Sequence, residues 1–94
     1  MDDGNDVTRA RVRVTGHVQG VFFRAEARDR ARSLGVAGWV RNARDGSVEA
    51  EFEGPRERVS SMVDWCGRGT SLAKVDHVAV EWSEPQGQHT FEIR

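Results

Sequence analysis

From Arg9 the chain alternates: Ala10, Val12 and Val14 share one side, and Arg9, Arg11 and Arg13 the other. That two-residue period predicts a half-buried strand. The period breaks at Gly16-His17-Val18-Gln19-Gly20 and resumes as a helical one. Phe23, Ala27, Ala31 and Leu34 recur at spacings of three and four, while Glu26, Arg28, Asp29 and Arg32 lie off that stripe. Gly35 stands where the C-cap residue of this helix belongs. Val36, Gly38 and Val40 then alternate with Ala37, Trp39 and Arg41 in a second strand ending near Asn42. Asp45-Gly46 is a turn pair, so the second strand forms a hairpin with a third. Val48, Ala50 and Phe52 face one way on that third strand, and Glu49, Glu51 and Glu53 the other.

Gly54-Pro55 predicts the start of a second helix, with proline in its tolerated first position. Val59, Met62, Val63 and Cys66 form its apolar stripe, and Gly67 closes it. A loop from Gly67 to Lys74 leads to a fourth strand marked by Val78, Val80 and Trp82. Glu84 to His89 reads as a polar turn, and Thr90 to Arg94 as a short last strand with Phe91 and Ile93 inward. Residues 1–6 are polar and acidic, and are expected to fray.

The order strand, helix, strand, strand, helix, strand, with a short C-terminal strand, predicts an α+β fold. It is the ferredoxin-like two-layer α/β sandwich: an antiparallel sheet with both helices on one face. In that topology the first strand lies between the third and the fourth. The row Arg9, Arg11, Arg13 then faces Glu49, Glu51, Glu53 across one ladder, with Glu81 on the other side. Opposite charges so placed support the pairing by roughly 0.2–1 kcal/mol each. The arginines are thereby accounted for as a solvated sheet face and not as a nucleic-acid surface.

Composition narrows the classes further. The 94 residues are expected to form a single domain, residues 1–94, of which 37% are hydrophobic and 31% charged. A net charge of −1 gives no bulk attraction to nucleic acid or an anionic membrane. Cys66 is the lone cysteine, which excludes an internal disulfide and a cysteine-rich metal site. It is read as a small core side chain. No apolar run approaches the roughly 20 residues of a membrane span, and Met1-Asp2-Asp3 does not begin like a signal peptide. The expectation is a cytoplasmic monomer with neither a nucleic-acid nor a membrane partner.

The candidate chemistry sits at the first strand–helix junction. Such a junction gathers outward N–H groups and the positive end of a helix dipole, an anion site. Arg24, in the first helical turn, adds a permanent charge and a fork of donors. Glycines that only permit a tight turn are the plainer alternative. Asn42 closes the second strand, which a right-handed crossover makes parallel to the first. The two strand ends then share one sheet edge, about 10 Å apart with the third strand between them. A turn residue ahead of Asp45-Gly46 is the plainer account of Asn42, but its place opposite an anion loop favours a functional one.

Gly16-His17-Val18-Gln19-Gly20-Val21-Phe22-Phe23-Arg24, then Gly38-Trp39-Val40-Arg41-Asn42 and Asp45-Gly46-Ser47-Val48-Glu49, resemble the signature segments of the acylphosphatases. The resemblance runs from Arg9 to Ile93. It implies hydrolysis of a small-molecule acyl phosphate to a carboxylate and phosphate, without metal or organic cofactor. It also implies that Arg24 binds the phosphate and Asn42 orients the water. The backbone amides of Gln19, Gly20, Val21 and Phe22 are then the phosphate loop. Ala43 and Thr70 depart from the family pattern, the latter with the expectation of a looser loop before the fourth strand.

An acyl phosphate loses a carboxylate that is already a stable anion, so positioning and charge stabilisation suffice. His17 is the tempting general base, yet no acidic partner lies beside it in sequence, and it is read as outward-facing. His77 and His89 lack ligand-like spacing, and Trp39, Trp65 and Trp82 are read as packing. Three other functions compete. One is a phosphate- or acyl-phosphate-binding module without turnover; another is an RNA-binding domain of the same fold, disfavoured by the matched arginines and glutamates. The third is a domain of a larger carbamoyl-transfer enzyme, which a short chain opening at Met1 disfavours.

Overall fold

Alternating valine and arginine build the first strand, β1 (Val7–His17), in the computed structural model, which describes residues 6–94. The expected fraying of residues 1–6 lies, Asp6 apart, outside the described residues. There follow α1 (Phe23–Leu34), β2 (Ala37–Asn42), β3 (Val48–Pro55), α2 (Arg56–Arg68), β4 (Lys74–Ser83) and β5 (Phe91–Ile93). The strands form one sheet in the order β4-β1-β3-β2-β5, the arrangement expected of the ferredoxin-like sandwich. Its inner face carries Ala10, Val12, Val14, Val40, Val48, Ala50 and Phe52. Phe23, Ala27 and Ala31 of α1 and Val59, Met62, Trp65 and Cys66 of α2 cover it. Burial pushes the Cys66 thiol up to about 12, as befits a packing residue that stays protonated.

The boundaries move where an expected local signal is overruled. Pro55 ends β3 and is the N-cap of α2, one place earlier than a first helical residue. Gly67 does not stop α2; the helix runs on to Arg68, and the stop is Gly69 at φ 70°, whose N–H bonds to Trp65 O. Only the second glycine takes a positive φ, with ψ −162°, a conformation open to glycine alone. β4 starts at Lys74, four residues before Val78, because β1 continues past a bulge at Thr15/Gly16 to pair His17 with Lys74.

The charged ladder has the expected register, Arg9 opposite Glu53, Arg11 opposite Glu51 and Arg13 opposite Glu49, with Glu81 beside Arg11 on the other side. It is not uniformly solvated. Arg9 and Glu53 are only 2% and 5% exposed. The reason lies in the link to β5, which pairs parallel to β2 and makes the sheet mixed instead of wholly antiparallel. β4 and β5 are opposite edges, four strand spacings or roughly 19 Å apart. Residues 84–90 must therefore stretch across the sheet, and they are no local turn. Glu53 holds them there: its carboxylate accepts from the backbone N–H groups of Gln86 (2.6 Å), Gly87 (2.8 Å) and Gln88 (3.1 Å) and from Arg9 (2.8 Å). Arg9 also donates to Glu51 at 2.5 Å, and Gln88 Nε2 donates to Gly38 O at 2.8 Å on β2.

Removing Glu53 leaves a buried guanidinium with half its pairing and three amides without an acceptor. Glu53→Ala is expected to cost about 3 kcal/mol, read as a lower urea midpoint at unchanged m. Burial alone would raise the Glu53 carboxyl pKa, but the Gln86 N–H, Arg9 and the Gly87 N–H outweigh it and hold it below its ordinary 4.5. A depressed carboxyl stabilises the fold fully above the unfolded value and loses that stabilisation as pH falls through the folded one. Acidification below about pH 4.5 should therefore destabilise wild type more steeply than Glu53→Gln.

Candidate active site

The register of β1 on β4 shifts at Thr15/Gly16, and β1 stays paired as far as His17 opposite Lys74. A Cβ at Gly16, at φ 130°, would overlap the Lys74 carbonyl oxygen, so β1 can approach β4 this closely only through glycine. Residues 18–22 then form an irregular loop ahead of α1. Gly20 (φ 74°) and Phe22 (φ 66°) are both left-handed, and such alternation turns successive N–H groups towards one side of the chain. Among the described residues, no backbone N–H from Gln19 to Phe22 donates to a protein acceptor. Phe22 O accepts from Glu26 N at 3.0 Å and starts the helix, with no side-chain cap.

Three contacts fix this loop. Gln19 Nε2 donates to Ala43 O (2.8 Å) and Ser47 O (2.9 Å), clipping it to the β2–β3 hairpin. The hairpin is itself tied by Asp45 Oδ1, which accepts from Ser47 N at 3.0 Å and Ser47 Oγ at 2.6 Å. On the other side, buried Thr70 donates through Oγ1 to Val21 O at 2.7 Å. The residue expected to loosen its own loop thus pins another. Phe23 is locked in the core against Trp65, ring centroids 4.8 Å apart, and sets the direction of its neighbour Arg24.

Arg24 and Asn42 line one cleft of ≈ 380 Å³, together with Val18, Gly20, Phe22, Phe23, Ala25 and Ile93. The strand-end argument predicts that meeting of Arg24 and Asn42. Arg24 is half-buried, and among the described residues it makes no ion pair with a carboxylate. The Asn42 Oδ1 is buried without a hydrogen-bond donor. A buried acceptor left unpaired is costly, and here it belongs to a residue of the cleft wall. Gln19 and Val21 do not line the cleft; the Val21 side chain lies in the core. His17 is exposed and also outside it.

Other residues of the site escaped the sequence pattern. Ile93 shares the inner face with Phe91 as expected, paired with core Val40, but where Phe91 is buried Ile93 is 37% exposed at the cleft. Its placement follows from the parallel pairing of Val40 with Ile93, which a three-residue strand does not announce. The Gln19 and Thr70 bonds link residues 24 to 49 positions apart, beyond any local signal. Among the tryptophans, Trp65 is core and Trp39 is buried near Arg41 and Arg94, while Trp82 is partly exposed beside Arg56.

Comparison with known proteins converges on one family. The acylphosphatase family model matches residues 10–93. An acylphosphatase of Natronomonas pharaonis is 53% identical over 90 residues, covering 96% of this chain and 98% of that one. The solved structure of a Coxiella burnetii acylphosphatase superimposes with a TM-score of 0.90 at 36% identity, over 96% of this chain and 94% of that one. The Bacillus subtilis acylphosphatase does so with 0.89 at 38%, over 93% and 98%. The match spans the loop, Arg24, Asn42 and all seven elements, and the chain belongs to the acylphosphatase family.

Proposed function

We infer that this chain hydrolyses acyl phosphates, with Arg24 and the amides of residues 19–22 holding the phosphoryl group and Asn42 holding the water. The observation that carries the assignment of roles is the shared cleft. It joins a half-buried arginine, a loop of unpaired N–H groups and a buried amide oxygen without a donor. The equatorial phosphoryl oxygens accept from Arg24 and the loop, which strengthens as charge redistributes in the transition state. The side-chain amide of Asn42 orients the water, which attacks phosphorus opposite the acyl oxygen. The P–O bond to that oxygen breaks with its electron pair, releasing a carboxylate. A proton of the water passes to a phosphoryl oxygen of the substrate, since an amide is no base. The reaction takes neither metal nor organic cofactor, and the enzyme acts as a cytoplasmic monomer.

Hydrolysis of benzoyl phosphate by the full chain, with and without EDTA, is the direct test. Turnover is expected to be equal in both. Absence of turnover by folded protein that still binds inorganic phosphate would replace this reading with a binding module.

A further inference from the structure

The phosphate cradle does not account for the side chain of Phe22. Among the described residues Phe22 is the sole non-glycine residue at positive φ, and it is 71% exposed. Glycine or asparagine would serve that backbone position with less strain. A phenyl ring held in water there gains no burial, so neither backbone nor packing explains it. Strained residues of this kind gather at ligand sites. Ile93, also exposed, lines the same cleft, set beside Val40 by the β2–β5 pairing and by Arg94 N donating to Val40 O at 2.9 Å. The cleft therefore has a polar part, Arg24, Asn42 and Gly20, and an apolar part, Phe22 and Ile93. At ≈ 380 Å³ it is larger than a phosphoryl group needs.

A mixed anhydride has two ends, and the polar part takes one. We propose that Phe22 and Ile93 form an acyl-binding wall that favours acyl phosphates with aromatic or extended apolar acyl groups over an acetyl-sized one. This rests on the acylphosphatase reading above. With the phosphoryl group on Arg24, the acyl carbon and its substituent emerge against the phenyl ring and the isoleucine. They remove apolar surface from water on both sides. The wall is a specificity device and takes no part in bond making.

The test is the ratio of kcat/KM for benzoyl phosphate to that for acetyl phosphate, measured on the full chain. Phe22→Asn keeps a residue that tolerates the left-handed backbone while removing the ring. Ile93→Ala shortens the other side. Any disturbance of the phosphate loop affects both substrates and cancels in the ratio, and the difference between their leaving groups cancels when a variant's ratio is divided by that of wild type. Wild type is expected to prefer benzoyl phosphate by at least about tenfold. Each substitution should lower that ratio by about 5-fold or more, mainly through KM, and Phe22→Tyr should restore it. Turnover of both compounds at a ratio that neither substitution moves overturns the wall and leaves the activity standing. Wild-type failure on both compounds overturns the activity, and the wall with it.

Discussion

Arg24→Ala is expected to lower kcat/KM for an acyl phosphate by about 10⁴-fold and to abolish competitive inhibition by inorganic phosphate. The magnitude follows from where the guanidinium stands. It is half-buried on the second residue of α1, in a cleft where Coulomb forces are stronger than in water. Other arginines of the chain are spent on structure: Arg9 on Glu51 and Glu53, Arg13 on Asp45, Arg41 on Glu49. Arg24 has no such partner among the described residues, so its charge is available to an anion. Arg24→Lys keeps a charge but loses the fork that grips two oxygens, and should recover only part of the loss. Because its anchoring neighbour Phe23 is untouched, the urea midpoint of Arg24→Ala should shift by no more than about 0.5 kcal/mol of stability. Unchanged phosphate inhibition in the alanine variant would remove Arg24 from the site.

The features legible in the sequence are those with local or repeating signals. The valine alternation of β1, the stop at Gly35 and the Asp45-Gly46 turn each depend on residues a few positions apart. The Arg–Glu ladder is longer in range, yet charge complementarity made its register readable. The burial of Arg9 and Glu53 was not readable. It depends on residues 84–90 crossing the sheet, a consequence of which edge β5 joins. That Arg24 and Asn42 share a cleft is legible because strand topology and the family segments both place them at one sheet edge. The side chains around them were missed for a common reason. Phe22 takes a backbone conformation its chemistry disfavours, Thr70 bonds a carbonyl 49 residues away, and Ile93 arrives on a short parallel strand.

Asn42→Ala separates binding from chemistry. Its kcat is expected to fall by about 10²–10³-fold while inhibition by inorganic phosphate stays within about threefold of wild type. The amide is placed at the end of β2, opposite Val48 of β3, in a hairpin braced by Asp45 and clipped to the loop by Gln19. Its side-chain amide is therefore held before substrate arrives, and on the proposed mechanism the water it orients loses little further freedom on reaching the transition state. Alanine leaves Arg24 and the loop amides in place, which is why phosphate still binds. The water is then free to sample other orientations, and turnover suffers. Asn42→Asp is the sharper comparison, because it retains an acceptor oxygen but sets a negative charge beside the phosphoryl group. Repulsion should weaken phosphate inhibition in that variant while alanine leaves it near wild type. Parallel losses of kcat and phosphate inhibition in Asn42→Ala would instead make Asn42 part of the anion site, and the water would need another holder.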